Sequence, residues 1–268
     1  MQPILEGTLG RPQARSRYAG LLQILRFNWP WYGAASGCAV SALVLGLALA
    51  LPGWATIGLG VLAGCAAFWT AASLLAAHYV LDCSPLYAGA WIVGKIPLLP
   101  KRWINLHAGL DAFTPLLENL FPGRCRGVFD LYDPRVMSAP SVARARRRSP
   151  PAIHAVHAVH AHSSSLSLTD AGCDCVFLFF TAREIREKER RERFFQELKR
   201  VLQPGGHLLL AEFVRDGWNT LAFGPGAWHA FAPHEWRRLA QISGFELLDE
   251  FPITPFVRVF MLRRPLAC

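Results

Sequence analysis

The sequence predicts a doubly wound α/β domain preceded by a hairpin of two membrane-spanning helices. Short apolar runs alternate with helical segments after residue 103, which is typical of an open, mostly parallel sheet. Before that point, the segment 27–81 contains no Lys, Arg, Asp or Glu. Within it, Leu51-Pro52-Gly53 separates two apolar runs, as a tight turn between two helices would.

The two apolar runs, 33–51 and 54–80, reach the roughly 20 residues that a helix needs to cross a bilayer. Trp29, Trp31 and Tyr79 stand near their ends, where aromatic side chains suit the membrane interface. The alternative is a buried hairpin in a soluble protein, but soluble helices of this length rarely lack every charge. We therefore expect a membrane location.

Basic residues flank the hairpin on both sides. They are Arg11, Arg15, Arg17 and Arg26 before it, and Lys95, Lys101 and Arg102 after it. Positive charge favours the cytoplasmic side, and an even number of spans returns the chain to that side, so the α/β domain is expected in the cytoplasm. The expected organisation is a basic N-terminal segment (1–32), the hairpin (33–80), an interfacial connector (81–102) and the folded domain (103–268).

One strand–helix–strand unit stands out in residues 173–214. Asp174 opens an apolar run, Val176–Phe180, which is too short for a helix and predicts a buried parallel strand. An amphipathic helix follows, and Pro204-Gly205-Gly206 is expected to end it and turn the chain. His207–Val214 then forms the next strand, which completes one crossover of an α/β sheet.

The remaining elements continue the alternation of strands and helices. Strands are expected at 103–107, 127–132, 153–162, 245–251 and 256–263, and helices at 112–121, 138–148 and 234–244. The second strand leads into Asp133-Pro134, and the last two strands close the sheet.

Several motifs in this domain occur in a specific order. The element Ser167-Leu168-Thr169-Asp170 is followed by a strand opened by Asp-x-Val, the helix FFQELKRVLQPGG and the strand LLLAE. This set resembles the fourth and fifth strands of the class I S-adenosylmethionine-dependent methyltransferases. A subgroup of that family is similar also in His107-Ala108-Gly109-Leu110-Asp111, Tyr132-Asp133-Pro134 and Ser141-Val142-Ala143-Arg144-Ala145-Arg146-Arg147. The resemblance covers Trp103 to Arg263.

The resemblance implies a Rossmann-like methyltransferase sheet, with an antiparallel closing strand, that uses S-adenosylmethionine as the methyl donor. Most members of the family carry Asp-x-Gly-x-Gly in the first turn, whereas this chain has only Gly109 there. Two explanations are open. Either the subgroup binds the donor with a single glycine, or the domain has lost the donor and serves as a catalytically inactive binding or scaffold module.

The resemblance implies four groups of donor-contacting residues at the carboxyl ends of the strands. They are the first turn (His107, Ala108, Gly109, Asp111), the end of the second strand (Asp133, Pro134), the adenine loop (Ser164, Ser165, Leu166) and the end of the fourth strand (Phe180, Thr181, Ala182). Asp133 is expected to accept hydrogen bonds from the ribose hydroxyls. The alternative for Asp133 is a turn former before Pro134, and for Gly109 a helix-entry glycine.

The segment 217–236 is rich in aromatic residues and glycine and follows the fifth strand. In this family that region covers the donor pocket, so we expect it to shape the acceptor site. The candidate acceptor-contacting residues are Trp218, Asn219, Phe223, Trp228 and Phe231. His229 is the candidate general base because imidazole titrates near neutral pH, although such a residue also packs or caps. The hairpin favours a lipophilic acceptor, either a small molecule or a lipid.

Other classes of site have less support in the sequence. The seven cysteines are odd in number and scattered, which fits neither a disulfide framework nor a zinc site. The histidines of the segment 153–162 do not all lie on one face of a strand, so no metal is expected. The formal charge of +9 includes the basic run 144–148, but no nucleic-acid motif accompanies it, and no nucleic-acid partner is expected.

Overall fold

Two long helices open the part of the chain that the structure describes. A computed structural model describes residues 17–49, 51–109, 111–137, 139–148, 158–160 and 165–266. Helix α1 spans Ala19–Ala48 and helix α2 spans Gly53–His78, and both are long and apolar enough to cross a membrane. In the most apolar window of each helix only 6% of the residues are buried inside the protein, whereas a core hairpin would be mostly buried.

Helix α1 begins at Ala19, so residues 19–32, expected to belong to the N-terminal segment, are helical. The backbone N–H groups of Gly20 and Leu21 donate hydrogen bonds of 2.6 Å and 2.9 Å to the carboxylate of Asp82. N–H groups in the first turn of a helix have no partner within that helix. Asp82 therefore caps α1 from the far end of the hairpin, which explains the early start.

The connector between the hairpin and the domain packs on the sheet. It consists of a π-helical turn (Tyr79–Cys83), a 3₁₀ turn (Pro85–Tyr87) and the short helix α3 (Ala90–Val93). Leu86 and Ile92 are fully buried in the same apolar cluster as residues of the sheet. The sequence predicted an interfacial segment, and in the structure this segment contributes to the core of the domain.

Seven strands form one sheet in the order β3-β2-β1-β4-β5-β7-β6. The strands are β1 (Trp103–His107), β2 (Cys125–Asp130), β3 (Ala158–His160), β4 (Cys173–Phe179), β5 (Leu202–Phe213), β6 (Glu246–Thr254) and β7 (Val257–Arg263). Strands β1 to β5 pair in parallel, and β7 is antiparallel to both β5 and β6. The predicted doubly wound sheet with an antiparallel closing strand is confirmed.

Helices cover both faces of the sheet. They are α4 (Thr114–Leu120), α5 (Pro140–Arg148), α6 (Lys188–Val201), α7 (Gly217–Phe223) and α8 (Pro233–Ile242). Consecutive residues of a strand face opposite sides, and Trp103 and Ile104 accordingly belong to different apolar clusters. Phe195 and Trp236 pack with Ile104, whereas Leu117 packs with Trp103.

Several strand boundaries differ from the prediction. Strand β2 ends at Asp130 rather than at Tyr132, because the carboxylate of Asp130 accepts the backbone N–H of Tyr132 and turns the chain. Strand β5 begins at Leu202, so Pro204-Gly205-Gly206 forms a bulge within the strand, where the pairing with β4 shifts, rather than a free turn. Of the predicted strand 153–162, the structure describes only Ala158–His160, which forms β3. The neighbouring His154, His157 and His162 lie outside the described residues.

Candidate functional site

The carboxyl ends of β1, β2 and β4 meet at one edge of the sheet. Parallel pairing places His107, the last residue of β1, beside Asp130, the last residue of β2. Strand β4 ends at Phe179, beside Ala211 of β5. Open α/β sheets bind their ligands outside the carboxyl ends of their strands, so the candidate site is built from the loops at this edge.

The turn after β1 requires glycine at position 109. Gly109 has a φ of +116°, a conformation that residues with a side chain rarely adopt. A Cβ at this position would lie 3.2 Å from both Val142 Cγ1 and Arg146 Cγ of α5. The backbone of the turn, with Ala108 half-buried beside it, is therefore close to α5, and a side chain at position 109 would require its neighbours to shift.

Asp111 has a structural role that the sequence did not predict. Its Oδ1 accepts hydrogen bonds from the backbone N–H of Thr114 (2.9 Å) and from Asn105 Nδ2 (3.2 Å). The carboxylate thus caps the first turn of α4 and ties it to β1. Both hydrogen bonds are accepted by the same carboxylate oxygen, Oδ1.

The acidic side chain at the end of β2 is Asp130. It is buried, and its Oδ2 accepts a hydrogen bond of 2.5 Å from Arg146 Nη1. The Nδ1 atom of His107 lies 3.9 Å from its Oδ1. Asp133 lies beyond the strand, where its Oδ1 accepts the backbone N–H of Arg135 at 2.9 Å, which is the turn-forming arrangement.

Sequence reasoning missed both Asp130 and Arg146. The segment from Phe129 to Pro134 contains two aspartates, and the later one precedes proline at the expected end of the strand. Pro134 itself is exposed. The signal that identifies Asp130 is its place directly after an apolar run, since the side chain that follows a buried strand stands at the ligand-binding edge.

The loop before β4 is held by an ion-pair network. Leu166 is buried, and its backbone N–H donates a hydrogen bond of 2.6 Å to Glu197 Oε1 of α6. Arg200 donates a hydrogen bond of 2.7 Å to the same carboxylate, and this hydrogen bond is the main reason why the pKa of Glu197 lies below its usual value. Ser165 is exposed, and Ser164 lies outside the described residues.

The turn after β4 has an unusual backbone. Phe180 has a φ of +54°, which is rare for a bulky residue, and its N–H donates a hydrogen bond of 2.8 Å to the carbonyl of Ala211. Thr181 and Ala182 are buried, and Thr181 Oγ1 donates to the carbonyl of Phe179 at 2.9 Å. Of the three predicted residues, Phe180 is therefore the one whose side chain is only partly covered.

Glu212, near the carboxyl end of β5, is a buried acid that sequence reasoning also missed. Its side chain is fully buried, and its Oε1 accepts the backbone N–H of Arg183 at 3.2 Å. Burial raises the pKa of Glu212 to about 7, against a partly opposing effect of the Arg183 guanidinium. The sequence signal was a lone acid that ends the apolar strand LLLAE.

The predicted acceptor residues fall into two groups. Trp218 and Trp228 are 62% and 74% exposed, whereas Asn219 is buried and donates to the carbonyl of Phe256 at 3.1 Å. Phe231 packs edge-to-face on Trp236, with ring centroids 5.4 Å apart, and so belongs to the core. Asn219 and Phe231 thus support the loop, while the two tryptophans project from it.

His229 is exposed and lies beside an arginine. Its Nδ1 is 3.2 Å from Arg186 Nη2. A guanidinium can only donate hydrogen bonds, so Nδ1 of His229 is the acceptor in this contact.

The second hairpin helix packs directly on the loop after β5. Gly224, which follows α7, has a φ of +52°, and a Cβ on it would lie 2.7 Å from the indole ring of Trp69 in α2. Phe223 packs with Phe256, with ring centroids 6.0 Å apart, and Phe256 contacts Tyr79 at the end of α2. The apolar helices thus lie against the ligand-binding edge of the sheet.

The residues at this edge fit a donor with an adenosine and an amino-acid end. The glycine turn leaves its backbone uncovered by a side chain of its own, and the buried carboxylate of Asp130 can accept hydrogen bonds from ribose hydroxyls.

Comparisons with known proteins agree with the fold. A family model for a methyltransferase domain matches residues 136–210. A SAM-dependent methyltransferase structure from Aquifex aeolicus has a TM-score of 0.53 and 15% identity, covering 68% of this chain and 94% of that one. One from Methanosarcina mazei has a TM-score of 0.48 and 18% identity, covering 66% and 98%. No curated protein matches the chain.

The Aquifex aeolicus structure supports the fold, and the family model covers the segment from the basic helix α5 to strand β5. Residues 136–210 are therefore similar to a methyltransferase domain, and the strand order and the likeness to the Aquifex aeolicus structure show the Rossmann-like methyltransferase fold.

Proposed function

We propose that the protein is a membrane-anchored S-adenosylmethionine-dependent methyltransferase that acts on a lipophilic acceptor. The observation that carries the proposal is the contact between Trp69 of α2 and Gly224 beside α7. This contact joins the apolar helices to the edge of the sheet where the family binds its donor. An acceptor dissolved in the bilayer would reach that edge without passing through water.

The donor supplies a methyl group on a positively charged sulfonium. The residues of the protein hold that donor in position. In our proposal the turn at Gly109 lies against the amino-acid end, and Asp130 accepts the ribose hydroxyls. Asp133 holds the turn that follows. Leu166 and Ser165 border the adenine, and Phe180 lies nearest the methyl group.

Methyl transfer of this kind is an in-line displacement, so orientation and exclusion of water can supply most of the rate enhancement. In our proposal Trp218, Phe223 and Trp228 shape the acceptor site. His229 contributes to this site through Nδ1 only when its contact with Arg186 opens. A dedicated base is unnecessary for an acceptor that is already nucleophilic.

The proposed orientation places both ends of the chain and the α/β domain in the cytoplasm. Arg17 and Arg26 lie at the start of α1, and Lys95 and Lys101 lie in the connector, on the same side of the hairpin. Positive charge near membrane helices favours the cytoplasmic side. Fusion of an alkaline phosphatase reporter to the turn at Pro52, but not to the C-terminus, should therefore be active in the periplasm of a bacterial host.

The alternative is a catalytically inactive member of the fold that serves as a scaffold. The hydrogen bond between Arg146 and Asp130 favours this alternative if Arg146 keeps the Asp130 carboxylate away from a donor. The decisive experiment is calorimetric titration of the full chain in detergent with S-adenosylmethionine, followed by transfer of a labelled methyl group to an extract of membrane lipids. Micromolar binding and label in the lipid extract are expected.

A matched pair of glycine variants makes this experiment specific. Gly109 and Gly123 both have positive φ, but a Cβ at Gly123 would meet nothing within 4 Å. We expect Gly109→Ala to abolish donor binding and Gly123→Ala to leave it unchanged. A folded full chain that binds no donor would instead establish the scaffold alternative.

A further inference from the structure

An apolar cavity of about 320 Å³ lies between the second hairpin helix and the α/β domain. From α2 and its end it is lined by Phe68, Ala72, Leu75, Ala76 and Tyr79. From the domain it is lined by Trp218, Leu221, Ala222 and Phe256. Small-molecule sites typically measure about 300–1,000 Å³, so the cavity can hold a ligand or part of one.

The cavity lies at the ligand-binding edge of the sheet. Helix α7 follows β5, and Phe256 lies in the turn between β6 and β7. A row of aromatic rings runs from the end of β4 to the cavity. The centroid distances along it are 5.2 Å for Phe180–Phe213, 6.1 Å for Phe213–Phe223, 6.0 Å for Phe223–Phe256 and 6.4 Å for Phe256–Tyr79.

The wall of the cavity is continuous with the exposed apolar surface of the hairpin. Leu75 of α2 is 68% exposed, and Leu221 of α7 is 55% exposed. In a bilayer this surface of α2 contacts lipid, because a helix without charges is stable there. A hydrocarbon chain can therefore enter the cavity sideways from the membrane.

The apolar side chains that line the cavity favour an apolar ligand. Among the described residues that line the cavity, only Tyr79 and Trp218 have polar side-chain atoms, so a polar ligand would lose hydrogen bonds to water without replacing them. A peptide segment is disfavoured for the same reason, since its backbone groups would be unpaired beside a membrane helix. A hydrocarbon chain has no such groups to satisfy.

We propose that this cavity binds the hydrocarbon tail of the methyl acceptor, with the acceptor head group near Phe180. The inference rests on the proposed function and adds the substrate class, which is a lipid with an extended apolar chain. The row of aromatic rings connects the cavity to Phe180 and so gives the direction from tail to head. Helix α2 is then a wall of the substrate site as well as a membrane anchor.

The test uses the full chain in phosphatidylcholine nanodiscs with palmitic acid that carries a diazirine at its end. After illumination, labelled peptides are mapped by mass spectrometry. We expect labelling at Ala222 and Phe256 that saturates and that unmodified palmitic acid displaces. Ala72→Phe fills the cavity and should lower this labelling about tenfold, because the probe loses the burial of roughly two methylene groups.

The matched control is Ala71→Phe, because Ala71 is the exposed neighbour of Ala72 on the same helix and does not line the cavity. Its labelling should equal that of the unmodified chain. A second variant, Leu221→Arg, places a charge at an exposed wall position and should also remove the saturable label. Labelling that never saturates, or that is equal in the Ala72 and Ala71 variants, would overturn the proposed tail site.

Donor binding, measured by calorimetry on the same samples, separates the two proposals. Donor binding without saturable labelling refutes the tail site and leaves the methyltransferase proposal standing. Saturable labelling without donor binding supports the tail site as a lipid-binding site and refutes the enzymatic activity.

Discussion

Arg146 Nη1 lies 2.5 Å from Asp130 Oδ2, and the same guanidinium is stacked over the ring of Tyr132 at 4.5 Å. The same helix, α5, also contacts the hairpin. Arg144 Nε donates a hydrogen bond of 2.5 Å to the carbonyl of Phe27 in α1. Helix α5 therefore bridges the candidate donor site and helix α1. The acid that it holds in place is Asp130.

The first prediction concerns the two aspartates that follow β2. Asp130→Asn should weaken binding of S-adenosylmethionine by about tenfold to a hundredfold, because a hydrogen bond to a charged group contributes roughly 1.5–3 kcal/mol. Asp133→Asn should change the affinity less than about twofold, since Asn also forms the turn that Asp133 forms. Calorimetric titration of the full chain measures both.

A thermal unfolding curve of the Asp130 variant separates loss of the ligand contact from loss of the fold, because the substitution also weakens the pair with Arg146. If the Asp133 variant loses more affinity than the Asp130 variant, the ribose is held beyond the strand and the assignment to Asp130 is wrong.

The second prediction concerns the pH dependence that Glu212 gives to stability. Its pKa is raised from 4.5 to about 7 by burial, so the folded state binds more protons than the unfolded state between these values. Its contribution to the free energy of unfolding therefore falls as the pH rises through this window, by up to about 3 kcal/mol. Arg183 and Glu184 are the charged groups that also act on it.

The comparison that isolates this contribution is Glu212→Gln. The variant should be less sensitive than the unmodified chain to a change from pH 5 to pH 8 when the free energy of unfolding is measured in urea. Parallel pH profiles for the two proteins would mean that Glu212 titrates near its ordinary value.

The crossover from β4 to β5 and the strand Trp103–His107 were predictable because their signals are local. A short apolar run bounded by polar residues forms a buried strand in almost any context, and an amphipathic helix needs only its own periodicity. The choice between Asp130 and Asp133 was not local. It depends on the contact with Arg146. That residue lies in α5, and no local sequence pattern indicates where α5 packs.

The docking of α2 on α7 could not be predicted for a different reason. The segment 54–80 is apolar around its whole circumference, so hydrophobic periodicity does not mark the face that meets the domain. The contact is decided by shape, namely a glycine without a side chain opposite a large indole. The early start of α1 likewise depends on Asp82, a partner that is distant in sequence.

The third prediction tests that contact. Gly224→Ala should destabilise the full chain by about 1–3 kcal/mol, because a Cβ would strain the positive φ and displace the Trp69 ring. Gly226 provides the control, since a Cβ there would meet only Phe223 Cβ, at 3.7 Å. Thermal unfolding in detergent should separate the two variants, and equal melting temperatures would argue against close packing of α2 on this loop.

The fourth prediction concerns the closure of the hairpin. Asp82→Ala should lower the free energy of unfolding by about 2 kcal/mol, because the carboxylate caps Gly20 and Leu21 and also contacts His78 Nδ1 at 2.9 Å. Asp249→Ala removes an aspartate whose partner is Lys95, at 2.8 Å on the surface, and should cost less than about 1 kcal/mol. Added salt should reduce the effect at Asp249 and change the effect at Asp82 little, since buried hydrogen bonds are less screened. The two variants could instead lose similar amounts of unfolding free energy, with equal sensitivity to salt. That result would show that Asp82 is an ordinary surface charge and that the start of α1 does not depend on it.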